Sequence, residues 1–470
     1  REQLRMKLHD WCKKHKKPDG EPYNLYKDGL KIYTTIDSEI QQKAEEAVIR
    51  HMKNELQPQF FKLQNGRKNA PFIGINQAQI DQIMERSMKR SDRYYWLEKK
   101  GVSEDSIKTI FNTPVPMKVF SYDGEIDTVL SPMDSIRYYK HFLQSGLMSV
   151  NPKTGHVKAY VGGINYKHFK FDHVYSSRRQ VGSTFKPFVY AVAMQELGYH
   201  PCKKVPNVPV TFELDNGRTW TPKNSDNKKE GEMVTLKYAL ANSINTISAY
   251  LMKRMSPERV INLARKMGVT SPIDPVPAIA LGTPDLSVYE MAGAFSTFAN
   301  KGVHIKPMFI TRIEDKNGNV IESFIPDQNE AMDEESAYLM VELLKGVVDH
   351  GTGRRLRFTY NFTNPIGGKT GTTDNNSDGW FMGVTPDLVT GVWVGGEDRS
   401  IHFRRTYYGQ GANTGLPIFA NLMKSLYSSP TVDISQGDFE KPEGMNEEFN
   451  CVKYNKEQEQ SQPAFSPGGF

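Results

Sequence analysis

The chain has 470 residues, 38% of them hydrophobic, and a formal charge of +6. That length and apolar content allow one large domain with a sizeable core plus one or two small ones. The charge is too small for this length to indicate a nucleic-acid partner, and no run of about twenty apolar residues is present to cross a bilayer.

Residues 1–28 are charged and contain the turn signal Lys17-Pro18-Asp19-Gly20, which predicts a linker. Its cluster Lys13-Lys14-His15-Lys16-Lys17 and the basic stretch from Met84 to Lys108 read as solvated faces. Residues 29–50 predict a strand and then a helix, with Asp37 as N-cap before Ile40, Ala44, Ala47 and Val48. From 51 to 116 the text turns rich in Gln, Lys and Arg, with helical pieces near 77–90 and 103–112, and stops at Pro114 and Pro116. This segment predicts an insert or accessory module.

A main domain is expected over 117–428. Gly146 to Gly163 predicts a hairpin, 183–197 a helix, and 199–234 a long loop-rich stretch holding Trp220, which either lines a groove or anchors packing. Helices follow near 236–254, 257–267, 286–300 and 332–348, with a hairpin from Pro307 to Phe324 turning at Asp315-Lys316-Asn317-Gly318-Asn319. Three strands cluster near 366–373, 379–384 and 388–395. Helices segregated from an antiparallel sheet make the expected class α+β. Residues 429–470 are acidic, then rich in Gln, Ser and Pro, and predict a disordered tail. Cys12, Cys202 and Cys451 are odd in number and far apart, so at most one bridge can form, and they read as core or surface thiols. His156 and His304 have no partner at metal spacing, and the sequence implies neither metal nor cofactor.

Gly182-Ser183-Thr184-Phe185-Lys186 sets a hydroxyl nucleophile and an amine base three residues apart in the first turn of the 183–197 helix. Residues i and i+3 share a helical face. Pro187 fits only in such an opening turn, where free N–H groups would also stabilise an oxyanion. Alone, Ser-x-x-Lys is weak: Ser225-Asp226-Asn227-Lys228 matches it inside a polar stretch. Two further motifs follow in order, Ser243-Ile244-Asn245 at the end of a helical run and Lys369-Thr370-Gly371-Thr372 on a strand. Lys153-Thr154-Gly155 precedes Ser183 and reads as turn chemistry, and Ser225-Asp226-Asn227 has no helix leading into it.

Each motif suits one job in acyl transfer through a serine ester. Lys186 serves as base only when neutral, far from the free lysine pKa of about 10.4, and burial plus a second cation at Lys369 would make it so. Ser243 would relay a proton to the leaving amine, and Asn245 would bind a substrate amide. Thr370 and Thr372 offer hydroxyls to a carboxylate, and Gly371 would let a peptide backbone approach the strand. The N–H groups of Ser183 and Thr372 would form the oxyanion hole. Asp378 and Trp380 are expected to support the strand of Lys369 without taking part in the chemistry.

The three motifs together resemble the penicillin-recognising acyl-serine transferases. The text around them is similar to the transpeptidase half of class A penicillin-binding proteins: Gly29 to Asp37, Met148 to Gly163, Tyr238 to Asn245, Ala280-Leu281-Gly282-Thr283, Gly351-Thr352-Gly353-Arg354 and Asp378-Gly379-Trp380-Phe381. The resemblance implies an antiparallel sheet flanked by helices with an all-helical subdomain. It implies a DD-transpeptidase that cross-links peptidoglycan stem peptides with release of D-alanine, with a possible carboxypeptidase side reaction and covalent inhibition by β-lactams. Ser183, Lys186, Ser243 and Lys369 would be catalytic, and Asn245, Thr370, Gly371 and Thr372 would bind substrate. It further implies an extracytoplasmic location, a membrane anchor and glycosyltransferase domain absent from this chain, and 51–116 as a place for cell-wall synthesis partners. A chain that starts at Arg1 is then expected to be an excised or processed piece of a longer protein.

Overall fold

Apolar residues at alternate positions build the centre of the molecule. A computed structural model describes residues 2–214, 217–226 and 228–461. Strands β1 (Gln144–Val150), β2 (Val157–Val161), β3 (Gly367–Thr372), β4 (Asp378–Val384) and β5 (Val389–Gly395) form one sheet in the order β3-β4-β5-β1-β2, every pair antiparallel. Trp380, Met382 and Val384 enter one core and Phe381 the other, the period of two that a strand imposes. Both faces are covered, so β1, β4 and β5 are buried along their whole length.

The helices that matter for the site are α1 (Ser38–His51), α2 (Lys186–Leu197), α3 (Leu236–Ala241), α4 (Asn245–Arg254), α5 (Val288–Ala299), α6 (Glu334–His350) and α7 (Gly415–Tyr427). Helices α1 and α7 cover one face of the sheet and α5 the other, while α6 bridges β3 to α2 and α3. Helix α1 starts where the sequence predicts, with Asp37 Oδ1 accepting from the N–H groups of Glu39 and Ile40. Every residue from Lys186 to Met194 in α2 is buried, so this helix is the axis of the helical subdomain rather than an amphipathic cover. The class is α+β, as expected.

Five sequence expectations need correction, the last being that all three cysteines are thiols. Residues 1–28 are not a free linker: a helix over Glu2–Lys14 packs Leu8, Trp11 and Cys12 against Ile313, and Trp11 Nε1 donates to Glu322. The accessory module does not end at 116. Val115–Val119 pairs with Ile126–Leu130, and the helix Pro132–Lys140 packs on the helices Gln77–Lys89 and Glu104–Asn112. The helix predicted over 236–254 is two helices, broken at Asn242–Ile244 where Ser243 takes φ +57°.

The tail is also structured. Phe439 and Met445 are buried, Asp438 lies 3.0 Å from Lys345, and Cys451 opens a helix reaching Ser461. Cys202 and Cys451 are joined in a disulfide, so only Cys12 is a free thiol. The remainder of the tail, 462–470, lies outside the described residues. Among the described residues no helix is long and apolar enough to cross a membrane.

The bridge closes a separation of 249 residues and fastens the tail beside His200, whose ring stacks on Tyr454 at 4.1 Å. A cross-link over so long a loop restricts the unfolded chain strongly. Cys451→Ser is therefore expected to destabilise the protein by about 2–4 kcal/mol. Thermal melts of the variant and of the wild type with and without reductant check this, and coincident midpoints would contradict it.

Candidate active site

Three segments far apart in sequence converge at the edge strand β3. Gly182–Phe185 forms one 3₁₀ turn that runs into α2, and the Lys186 N–H donates to the Ser183 carbonyl. Side chains at i and i+3 eclipse in a 3₁₀ turn, which stacks Ser183 and Lys186. Pro187 lies in the opening turn of α2, where no N–H is needed. Ser183 is half-buried and Lys186 fully buried, and among the described residues no hydrogen bond joins their side chains.

The break between α3 and α4 supplies the second group. Lys186 Nζ donates to the Ser243 carbonyl at 2.6 Å and to Asn245 Oδ1 at 2.7 Å, with Ser243 Oγ at 3.2 Å. Lys369 Nζ approaches the same Ser243 Oγ at 3.1 Å and donates to the Thr370 carbonyl at 3.0 Å. The left-handed backbone at Ser243 is costly for a non-glycine residue, and it places one hydroxyl between two amines. Among the described residues neither lysine has a carboxylate within salt-bridge distance.

That absence sets the electrostatics. Burial disfavours an ammonium ion. It pushes Lys369 down to about 7. Lys186 lies well below the ordinary lysine value because burial acts together with the charge of Lys369.

The Ser183 turn is pinned to β3 by close backbone approach. Gly182 has φ +53°, and a Cβ there would meet the Thr372 carbonyl oxygen at 2.8 Å. From the other side the Gly182 N–H donates to the Gly282 carbonyl at 2.9 Å. The face of Gly371 left bare by its missing side chain is occupied by this turn: a Cβ would meet the Val181 oxygen at 2.6 Å and Thr184 Cγ2 at 2.9 Å. On that side, the missing side chain of Gly371 lets the chain's own turn approach the strand.

Thr373 N–H donates to Asp378 O, so the neighbouring pair Thr372–Gly379 is the non-hydrogen-bonded kind. The Thr372 N–H accordingly points off the free edge of the sheet, toward the Ser183 turn. The Ser183 N–H has no backbone acceptor among the described residues.

Two residues the motifs did not single out orient the rest. Asn224 Oδ1 accepts from the N–H groups of Asn245 and Thr246 at 2.9 and 3.0 Å, capping α4 from a distant loop. The Asn245 Nδ2 donates to the Lys223 carbonyl, which leaves its Oδ1 for Lys186. Thr352 shares a 2.7 Å hydrogen bond with the Thr370 hydroxyl. Thr372 Oγ1 accepts from the Gly411 N–H at 3.1 Å, so its own proton is free to donate. A residue that acts across the fold leaves no spacing to read, although Thr352 lies in the stretch 351–354 already singled out in the sequence.

Asp378 and Trp380 brace the strand, as expected. Asp378 accepts from Arg179 Nε at 2.6 Å and Trp393 Nε1 at 2.9 Å, and Trp380 Nε1 donates to the Gln180 carbonyl. Trp220 packs on Phe212 with ring centroids 5.5 Å apart, the anchoring alternative. The competing Ser225 and Lys228 are exposed, Lys228 pairing with Asp226 at the surface, while Asn227 lies outside the described residues. Lys153 is also exposed, in a turn held by Asn151 Oδ1.

Comparison with known proteins fits this geometry. Residues 146–424 match the family described as penicillin binding protein transpeptidase domain, and 67–143 match the penicillin-binding protein middle domain. Penicillin-binding protein 1A of Aquifex aeolicus (strain VF5) is 32% identical over 417 residues, covering 85% of this chain and 54% of the relative. Penicillin-binding protein 1A of Neisseria meningitidis serogroup A is 34% identical over 290 residues, 60% of this chain and 36% of that protein. The chain thus spans about half or less of the length of these relatives. The crystal structure of penicillin-binding protein 1A from Haemophilus influenzae shares the fold, with a TM-score of 0.66 at 21% identity over 92% of this chain and 71% of that one. The chain belongs to the penicillin-binding protein family, with its transpeptidase domain preceded by that family's middle domain.

Proposed function

We propose that this protein cross-links peptidoglycan as a serine DD-transpeptidase. The observation that carries the reading is the hydrogen-bonded row Lys186 Nζ, Ser243 Oγ and Lys369 Nζ, at 3.2 and 3.1 Å, one 3₁₀ turn from Ser183. Neutral Lys186 takes the Ser183 proton as Oγ bonds to the penultimate D-alanyl carbonyl carbon of a stem peptide. The Ser183 and Thr372 N–H groups face the oxyanion. When the C–N bond breaks, Ser243 passes a proton from Lys186 to the leaving amine, and D-alanine departs.

The amine of a second stem peptide then attacks the ester, losing its proton along the same row. Water in its place gives carboxypeptidase turnover. Lys369, Thr370 and Thr372 take the terminal carboxylate of the donor, and Asn245 its amide. The disulfide supports an extracytoplasmic location, where such bonds persist. Polymerisation of lipid-linked disaccharide is assigned to no segment of these 470 residues.

A β-lactam is expected to add one inhibitor mass at Ser183 and to remain for hours, because among the described residues no carboxylate bonds to Lys186 or Lys369. Intact-mass and peptide spectrometry after benzylpenicillin, together with D-alanine release from a synthetic stem pentapeptide, test the reading. Label at Ser225, or rapid turnover of the drug, would overturn it.

The lysines are expected to separate by pH. Lys186→Ala should lower the acylation rate by about 10²–10⁴-fold, the usual worth of a general base. In the wild type the rate rises as Lys186 loses its proton, at a pH below the ordinary lysine range. Lys369→Ala removes the nearby positive charge, so the rising limb should move to higher pH. Stopped-flow acylation profiles of the three proteins check this. Coincident rising limbs in the wild type and Lys369→Ala would show that the two amines are not coupled.

A further inference from the structure

A cavity of about 1020 Å³ lies where the N-terminal helix, α1, the hairpin loop at 120–125 and the loop 162–172 meet, and no residue of the three motifs lines it. Its volume is at the upper end of small-molecule sites, about 300–1,000 Å³. That is room for several linked rings rather than one.

The lining decides the chemistry. Tyr166 and Phe171 are 61% and 58% exposed, so two aromatic faces are offered to a ligand. Tyr122 also lines the cavity, and its buried hydroxyl has no hydrogen-bond partner among the described residues, an uncommon state for a buried polar atom. Gln41 and Glu45 stand on the α1 wall, with Gln41 Nε2 held 2.7 Å from Glu45 Oε1.

The lining charges are of both signs. Glu125 is paired by Lys167 at 2.7 Å and His168 at 3.0 Å. Asp172 accepts from the Tyr160 hydroxyl at 2.5 Å and from two backbone N–H groups. Glu45 and Lys170 add one charge of each sign, so the wall offers no cluster of one sign to a phosphate or a metal cation, and a lipid chain would bury carboxylates. A sugar ring meets these terms: its C–H face stacks on an aromatic ring, and its hydroxyl and acetamido groups bond to carboxylates, amides and a tyrosine hydroxyl.

We propose that this cavity binds a short stretch of uncharged N-acetylated oligosaccharide. Such a polymer carries the stem peptides, so the cavity would hold the glycan strand while Ser183 works on its peptide. The naming of that polymer as cell-wall glycan rests on the peptidoglycan reading; the sugar chemistry of the cavity does not.

The test uses the whole 470-residue chain and the β-1,4-linked tetramer of N-acetylglucosamine, observed by saturation-transfer NMR and calorimetry. A dissociation constant of about 0.1–1 mM is expected, ordinary for a shallow site. Tyr166→Ala with Phe171→Ala should weaken binding about tenfold, and Tyr122→Phe about threefold. Benzylpenicillin acylation should be unchanged in all variants, which shows that the fold is intact. No saturation transfer at millimolar tetramer, or equal affinity in the aromatic double variant, would overturn the proposal. Preference for a stem pentapeptide at these residues would also overturn it. If the tetramer binds but Ser183 is not acylated, the transpeptidase reading fails and this one stands.

Discussion

Two fully buried amines meeting at one hydroxyl is the constraint from which the rest of the site follows. Burying a charged ammonium without a counter-ion is costly enough that the group gives up its proton instead. With no carboxylate paired to Lys186 or Lys369 among the described residues, the pair must shed charge, and burial beside the charge of Lys369 holds Lys186 well below the ordinary lysine range. A structural salt bridge would stabilise the fold and leave no base. The site is built the other way, with acceptors only from Ser243, Asn245 and Thr370.

Such an arrangement has to be held against its own strain. The Ser183 turn is clamped between Gly282 on one side and the Gly371–Thr372 edge on the other, at distances that exclude any side chain on Gly182 or Gly371. Behind β3, buried Asp378 ties Arg179 to Trp393 and so fixes the segment just before the nucleophile to the middle of the sheet. Asn224 does the same for the strained Ser243 corner by capping α4. The unfavourable backbone at Ser243 persists because neighbours on both sides over-determine it.

The residues that meet at the site were legible in the sequence because each motif is local: Ser183 and Lys186 lie within one turn, Ser243 and Asn245 are two residues apart, and Lys369 to Thr372 share one strand. What escaped depends on contacts across the chain. Leu4, Leu8, Trp11 and Cys12 do keep helical spacing, yet the charges around them mask an apolar stripe that has meaning only against Ile313. The tail reads as disordered by composition. Phe439 and Met445 are isolated apolar residues there, and they find partners only in the folded domain. No spacing rule pairs Cys202 with Cys451 across 249 residues. The expected boundary at 116 fell inside a hairpin because Pro114 and Pro116 look like a stop, although an edge strand tolerates proline.

The coupled amines also give substrate a part in arming the base. Two amines that meet at one hydroxyl titrate as a coupled pair, and burial pushes Lys369 down to about 7. Under the proposed function, a donor carboxylate at the Thr370–Thr372 edge would lie on the Lys369 side of Ser243 and would favour the proton there, leaving Lys186 as the free amine. On the proposed reading, recognition of the D-alanyl carboxylate and activation of the nucleophile are one electrostatic event, transmitted through the single hydroxyl of Ser243.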